Sequence, residues 1–240
     1  MKKLVFAVSG KKKSGKTTLV SHLMNNIKEL PLPLRILSSS FGETNFADSF
    51  KHFFSEYFEI PLQYFYDEKL KDSPTQYQWK DIPPYNKEYQ ALRNSEMAGF
   101  PPINYAEQIK FYYKFLTVRD FMQTVGDDIL GTIFPKIWIN KTIRVIKHLL
   151  GEFVFIPDFR FKKEAVALDA EPAFKVVKIR LTRYVPQNER NDKHISETDL
   201  DDYAGFDHVI DNQNLTLEQA KRQFRDIVMA EIKKYDKYLQ

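Results

Sequence analysis

The sequence predicts a three-layer α/β fold, in which helices cover both faces of a central, mostly parallel sheet. An apolar run at 4–8 is followed by a loop rich in glycine and lysine, and then by apolar residues at helical spacing from Leu19 to Ile27. Two further strand-like runs, at 153–156 and 177–181, alternate along the chain with amphipathic helical segments. Such alternation favours parallel strands joined by helical crossovers.

The first loop carries the most specific motif. Residues 10–17, GKKKSGKT, match G-x-x-x-x-G-K-[ST], the Walker A motif or P-loop, at every fixed position. The glycines let the backbone turn its N–H groups towards phosphate oxygens, and the following helix N-terminus favours an anion. Lys16 can reach the β- and γ-phosphates, and the hydroxyl of Thr17 can ligate Mg²⁺. The sequence therefore predicts that this phosphate loop (residues 10–17) binds a nucleoside triphosphate.

The charge distribution argues against a nucleic-acid partner. The chain of 240 residues has a formal net charge of +4. Residues 1–16 hold six lysines and no acid, which leaves 30 basic and 32 acidic groups in the remainder. The positive excess is thus local to the phosphate loop rather than spread over a broad face. A local basic groove stays open as an alternative.

Composition excludes several other classes. The chain has no cysteine, so disulfides, thiolate metal sites and thiol redox chemistry are ruled out. No apolar run approaches the length of a membrane span, and the first residues predict a core strand rather than a signal peptide. We expect one soluble, cytoplasmic domain over residues 1–240, with an inserted substrate-binding or lid segment at about 59–115.

The segments before the insertion predict a second strand and a second helix. Residues 34–37 form the strand and are followed by a serine loop. The helix begins near Phe46 and continues through Phe58. Lys51 in this helix is by default a solvated lysine, but the loop after a second parallel strand lies at the ligand-binding edge of such sheets.

Residues 59–104 lack periodicity. The stretch is interrupted by Pro74, Pro83, Pro84, Pro101 and Pro102, and aromatic residues are scattered through polar sequence. We expect an irregular insertion or lid that its aromatics pack down. A single-stranded nucleic-acid platform is the less favoured alternative.

A polar face of the next helix is a candidate binding surface. Thr117 is a plausible N-cap for a helix over 117–130, and Arg119, Gln123 and Gly126 follow at i, i+4 and i+7. An arginine and an amide on one face can grip a phosphate and a base edge. Ordinary solvated surface explains the same pattern. Trp138 begins another helix, where it belongs to the core or walls a base pocket.

The strand at 153–156 delivers a carboxylate at its C-terminal end. Asp158 in this position resembles the Walker B arrangement, in which a carboxylate holds Mg²⁺ or its waters, although any apolar strand can end in aspartate. Arg160, two residues on, can hold a transferred phosphoryl group. The segment 183–202 is polar and contains His194 and Glu197. For these two residues we favour a role in local packing or at a helix start over one in metal binding or acid–base chemistry.

The last elements are structural. Residues 206–210 predict a final strand, and 216–219 (TLEQ) form a capping box that opens a long amphipathic helix.

Several segments together resemble bacteriophage-type deoxynucleoside monophosphate (dNMP) kinases. They are SGKKKSGKTT, FADSFK, TVRDFMQTVGDDIL with IWINK, VFIPDFRFKKEA, and HISE with FDHVIDN. They occur in the order of that family and cover most of the chain outside the aromatic insertion. The combination of V-R-x-x-x-Q-x-x-G, a tryptophan and P-D-x-R-x-x-x-E is far more specific than the P-loop. Asp120 and Asp127 depart from the family, whose members often have a basic residue and a threonine there.

The resemblance implies a role for each candidate residue. Binding of ATP and Mg²⁺ falls to Gly10, Lys11, Lys12, Lys13, Ser14, Gly15, Lys16, Thr17 and Thr18. Binding of the dNMP falls to Lys51, Arg119, Gln123, Gly126, Trp138, Asp158 and Arg160. Lys16, Asp158 and Arg160 would serve catalysis, and Thr17 and Asp158 would hold the metal.

The implied reaction is ATP-dependent phosphorylation of a dNMP to a dNDP, a step of deoxynucleotide biosynthesis, by Mg²⁺-assisted in-line transfer. The implied partner is a small molecule, with no nucleic acid and no membrane, in the host cytoplasm if the gene belongs to a phage. A homodimer is compatible with the sequence. Two alternatives stay open: a kinase similar to the animal phosphomevalonate kinases, which share the SGKxKSGK loop, and a non-catalytic P-loop switch.

Overall fold

The computed structural model describes residues 2–32, 36–100, 102–182 and 195–237. Its strands are Lys3–Gly10 (β1), Phe41–Glu43 (β2), Pro74–Gln78 (β3), Phe115–Thr117 (β4), Phe153–Ile156 (β5), Phe174–Thr182 (β6) and His208–Asp211 (β7). Its α-helices are Lys16–Asn25 (α1), Asp48–Tyr57 (α2), Tyr85–Met97 (α3), Tyr105–Tyr112 (α4), Val118–Phe121 (α5), Gly131–Ile133 (α6), Ile137–His148 (α7), Lys162–Asp169 (α8), Ile195–Thr198 (α9) and Leu217–Lys237 (α10). A π-helix spans Met122–Leu130, and 3₁₀ turns span Ile27–Glu29, Ser38–Ser40, Leu62–Phe65, Leu70–Asp72 and Trp79–Asp81.

The chain forms two compact units. The sheet unit combines the residues up to Ala47 with those from Ile139 onward, and the middle unit is Asp48–Trp138. In the described residues, no helix has the length and apolarity that crossing a membrane requires.

A five-stranded parallel sheet in the order β2-β5-β1-β6-β7 forms the sheet unit. Residues 4–8 of the central strand β1 are fully buried, because both faces of the sheet are covered. Alternate side chains serve the two faces. One face packs on α1 and α10, with Phe6 among Leu19 and Phe224, and the other carries Val5 in a cluster with residues of α7 and α8. The predicted three-layer α/β class is confirmed.

The middle unit is held together by aromatic packing. Strands β3 and β4 pair antiparallel, and Phe54, Phe65 and Phe121 are fully buried beside them. Tyr77 packs against Phe121 with ring centroids 5.2 Å apart, and Trp79 stacks on a phenylalanine of α4 at the same distance. The packing that the scattered aromatics predict is therefore present among these residues.

Three local predictions are wrong. Of the strand expected at 34–37, residues 34–35 lie outside the described part and 36–37 are not strand; β2 instead begins at Phe41, which packs on Phe153 of β5. The stretch 59–104 is not irregular throughout, since it contains β3 and the 13-residue α3. Only Leu92 of α3 is buried, so no apolar stripe marks this helix in the sequence. The helix over 117–130 continues from Met122 with π rather than α hydrogen bonding.

The predicted caps are confirmed. The backbone N–H of Asp120 donates to Thr117 Oγ1 at 3.0 Å, and that of Gln219 donates to Thr216 Oγ1 at 3.3 Å. In each motif the side chain of the third helical residue accepts from the N–H of the cap, which completes a capping box.

Truncating the centre of the sheet should be costly. Phe155 is fully buried and stacks on Phe6 with ring centroids 4.9 Å apart. We expect Phe155→Ala to lower the free energy of unfolding by about 3–5 kcal/mol, because the cavity adds to the lost transfer energy. Urea unfolding measures this, and Val166→Ala, at an exposed position of α8, should change it by less than about 0.5 kcal/mol. Equal effects of the two substitutions would contradict this packing.

Candidate functional site

The phosphate loop leaves β1 and enters α1 through a turn that needs its glycines. Gly15, the residue before α1, has φ 95°, in the left-handed region. A Cβ on Gly10 would lie 2.5 Å from Ser14 Oγ and 2.8 Å from the carbonyl oxygen of Leu181. Within the described chain, no side chain caps the first turn of α1. Its backbone N–H groups are therefore available to an anion.

Lys16 folds back over this loop. Its Nζ donates to the carbonyl oxygens of Gly10 at 2.5 Å and Lys11 at 2.8 Å, and the side chain is buried. Burial, as the largest cause, and the nearby positive charge of Arg160 together lower the pKa of Lys16 to about 8. The ammonium is thus held in a position where an added negative charge would stabilise it.

Arg160 is fixed by two glutamates. Its backbone N–H donates to Glu164 Oε2 at 2.8 Å, and the N–H of Phe161 donates to the same oxygen at 2.9 Å. Burial raises the pKa of Glu164 to about 8. The guanidinium donates to Glu197 Oε1, and Glu197 Oε2 accepts from the backbone N–H of Lys12 at 2.8 Å. One carboxylate therefore joins Arg160 to the phosphate loop.

A second arginine lies at the same edge of the sheet. The parallel register pairs Arg180 of β6 with Ser9 of β1, and the Arg180 guanidinium donates to Ser9 Oγ at 2.9 Å. It also donates to Asp201 at 2.9 Å, and Asp201 accepts from Lys11 Nζ as well. Lys16, Arg160 and Arg180 form a positive cluster in the sheet unit, because both arginines are close enough to Lys16 to lower its pKa.

The carboxylate of Asp158 binds backbone N–H groups of the segment that precedes α2. Its two carboxylate oxygens accept from the N–H of Phe46 at 2.8 Å and the N–H of Ala47 at 2.9 Å. Its charge also favours the protonated form of Lys16, although less than burial disfavours that form. The Asp158 carboxylate therefore lies near the positive charge of Lys16, and it also fixes the backbone at residues 46 and 47.

In the middle unit, α2 supports two of the predicted substrate residues. The ring of Trp138 packs on Phe50 and Phe53, with centroids 5.8 Å and 6.0 Å apart. Its Nε1 is buried and has no hydrogen-bond partner among the described residues. A Cβ on Gly126 would lie 3.3 Å from the ring of Phe54, so the glycine allows close packing there.

The charged candidates of the middle unit are engaged with acids. Arg119 donates to Asp72 at 2.9 Å and to Glu68 at 3.2 Å. Lys51 lies 3.6 Å from Asp48, with its Nζ over the ring of Tyr66. Gln123 lies in the π-helix, where the spacing of side chains differs from the α spacing that predicted one shared face.

The structure thus distributes the predicted residues between the units. Lys16, Asp158 and Arg160 come together with the phosphate loop, and Lys51, Arg119, Gln123, Gly126 and Trp138 belong to the middle unit. Sequence reasoning missed Arg180 and Asp201, and it assigned Glu197 to packing. The i, i+4 spacing of Glu197 and Asp201 was the available signal. His194 lies outside the described residues.

A further residue supports the loop from the end of β7. Asn212 Nδ2 donates to the carbonyl oxygen of Ser14 at 2.9 Å, and its Oδ1 is buried with no partner among the described residues.

A family model described as deoxynucleotide monophosphate kinase matches residues 79–223, well over half of the chain. The matched range includes Arg119, Trp138 and Arg160 and begins after the phosphate loop. No curated protein matches the chain.

The lowered pKa of Lys16 has a consequence for stability. The native state releases this proton near pH 8, whereas the unfolded chain keeps it until about pH 10.5, so the unfolded state binds more protons in between. Stability conferred by this group therefore rises with pH over that window. Relative to Lys16→Met, we expect the unfolding free energy of the wild type to rise by up to about 3 kcal/mol from pH 7 to 10.5.

Denaturant titrations of both proteins at matched pH measure the difference, in which the other titrating groups cancel. A difference that stays constant or falls across this range would contradict the buried position of the ammonium.

Proposed function

Because this chain belongs to the deoxynucleotide monophosphate kinase family, we propose that it transfers the γ-phosphoryl group of ATP to a dNMP, forming a dNDP and ADP. The family makes the chain a phosphotransferase that acts on deoxynucleoside monophosphates. The observation that supports ATP as the donor is the phosphate loop, with a buried lysine beside Arg160.

The loop fits a triphosphate in three respects. The left-handed Gly15 turns the backbone into α1, whose first N–H groups have no side-chain cap in the described chain. A side chain at position 10 would clash with Ser14 and Leu181. Lys16 bonds only neutral oxygens of the described chain through its Nζ, at positions 10, 11 and 14. We expect phosphate oxygens to replace them, because an anion repays the desolvation of the ammonium better than a carbonyl does.

Residues for Mg²⁺ are present at the same edge. Thr17 is exposed in the first turn of α1, and the Asp158 carboxylate faces the positive cluster. The described residues contain no group of three or more His, Asp or Glu arranged for a metal, so in this proposal phosphate oxygens and water complete the shell. When bound, Mg²⁺ supplies neutralisation of charge on the β- and γ-phosphate oxygens.

The acceptor falls to the middle unit. A buried Trp138 Nε1 with no partner among the described residues is a donor that an acceptor atom of a base can satisfy, and the ring offers a stacking surface. The Arg119 guanidinium donates to the carboxylates of Asp72 and Glu68. In this proposal the dNMP phosphate exchanges with one of these carboxylates. Lys51 and Gln123 are the supporting residues of this assignment.

The chemistry needs positioning rather than a strong base. The acceptor oxygen of a dNMP phosphate is already anionic, so no proton has to be removed before attack. Lys16 and Arg160 neutralise charge on the transferred group as the bond to the leaving ADP breaks. Preorganised donors of this kind lower the barrier because they are already oriented when charge moves.

Removing the ammonium should abolish turnover. We expect Lys16→Met to lower kcat/KM by at least about 10³-fold while the far-UV circular dichroism is retained, since a buried charge at the transferred group is lost. The measurement is coupled ADP release from Mg-ATP with a dNMP. Lys28→Met, at an exposed position after α1, is the control and should keep wild-type kinetics. Near-wild-type turnover in Lys16→Met would refute the role of the loop.

The same assay separates the proposed reaction from its alternatives. The wild type is tested against dGMP, dTMP, dCMP, hydroxymethyl-dCMP, dAMP and phosphomevalonate. We expect at least one dNMP to stimulate ADP release and phosphomevalonate not to. Stimulation by phosphomevalonate alone, or by none of them, would contradict the proposal.

Trp138 can report on the acceptor directly. The chain has two tryptophans, Trp79 and Trp138, so Trp79→Phe leaves Trp138 as the single indole. We expect its emission to change saturably when a dNMP accepted in the assay is added, because the base stacks on the ring. Trp138→Phe, which reports Trp79 alone, should show no saturable change. A flat titration in Trp79→Phe would remove Trp138 from the acceptor site.

A further inference from the structure

Two carboxylates from one short segment occupy the donors of the phosphate site. Glu197 lies in α9 and Asp201 follows one helical turn later. Glu197 bonds the Lys12 N–H and the Arg160 guanidinium, and Asp201 bonds Lys11 Nζ and the Arg180 guanidinium. The residues that carry these four donors belong to the phosphate loop or to the two arginines beside it.

Each of these donors suits a phosphate oxygen as well as a carboxylate oxygen. Backbone N–H groups, lysine and arginine are the donors that proteins use for phosphate. A triphosphate at the loop would bring several negative charges against Glu197 and Asp201. Repulsion between these carboxylates and the phosphates would weaken nucleotide binding several-fold or more. In addition, a given N–H group can donate well to only one strong acceptor at a time.

We infer that Glu197 and Asp201 act as an internal anion that competes with the phosphates of the nucleotide. The segment 195–202, named here the acidic latch, holds the phosphate site until a nucleotide displaces its two carboxylates. This inference rests on the proposed function and names a regulation of the same site. The apparent affinity for nucleotide is the affinity of the open form multiplied by the fraction of molecules in which the latch is open, so a mostly closed latch weakens binding.

The pattern of contacts favours competition over simple support of Arg160. A supporting carboxylate needs to contact only its arginine, yet Glu197 also takes an N–H of the phosphate loop itself. Asp201 repeats this with Lys11, a second residue of the loop. Two carboxylates that each bridge the loop to an arginine use donors that phosphate oxygens would also use.

Neutralising the latch should tighten nucleotide binding. We compare the wild type with Glu197→Gln, Asp201→Asn and the double variant, by calorimetric titration of Mg-ATP in the absence of any dNMP. The double variant is expected to bind about tenfold more tightly, and each single variant by an intermediate factor. Asp202→Asn is the matched control, because Asp202 carries the same charge in the same segment but pairs with Lys162. It should bind within twofold of the wild type.

A second measurement uses the unmodified protein. Most ligands slow amide exchange near their site, but a displaced latch should exchange faster when Mg-ATP or Mg-ADP is added. Hydrogen exchange read over 195–202 is expected to accelerate while the phosphate loop becomes protected.

The outcomes separate this inference from the proposed function. Unchanged or weaker nucleotide affinity in the double variant, with a lower kcat, would show that Glu197 positions Arg160 and would overturn the latch. Slower exchange over 195–202 on nucleotide binding would also overturn it. Absence of ATP binding in the wild type and in every variant would instead overturn the proposed function itself, and the latch with it.

Discussion

Positive charge gathered at one edge of a buried sheet is the constraint on which this site depends. Lys16, Arg160 and Arg180 lie together with the N–H groups of the phosphate loop, and burial makes each unpaired charge costly. The structure meets that cost with carbonyl oxygens around Lys16 and with carboxylates around the two arginines. An anionic substrate is the other way to meet it, so the groups that stabilise the fold here are those that would bind a nucleotide.

Strand topology explains why these groups meet. β1 is the central strand and has β5 and β6 as parallel neighbours, so the residues after all three carboxyl ends lie at one edge. Gly10 ends β1, Asp158 follows β5, and Arg180 lies opposite Ser9 near the end of β6. The parallel register therefore brings these residues together although they are far apart in the sequence. Within the middle unit, an aromatic cluster packs against Trp138 and Gly126.

Patterns that depend on neighbouring residues were predictable from the sequence, and those that depend on distant partners were not. The strand, loop and helix of 3–25 follow from an apolar run, glycines and helical spacing, and Thr117 and Thr216 are recognisable caps. β2 was not predicted because this three-residue strand, FGE, is defined by its pairing with β5 rather than by a pattern of its own. α3 was not predicted because it buries one residue, which leaves little apolar pattern to recognise. The roles of Glu197 and Arg180 depend on contacts with the phosphate loop and with β1, which the sequence pattern does not show.

We propose that the γ-phosphoryl group of ATP passes to the phosphate of a dNMP. The most direct measurement is to incubate the protein with Mg-ATP labelled with ³²P at the γ position, together with each dNMP, and to separate the products by chromatography. We expect the label to appear in the β-phosphate of a dNDP, in amounts equal to the ADP formed. Label that appears only as inorganic phosphate, or that stays in ATP with every dNMP, would contradict it.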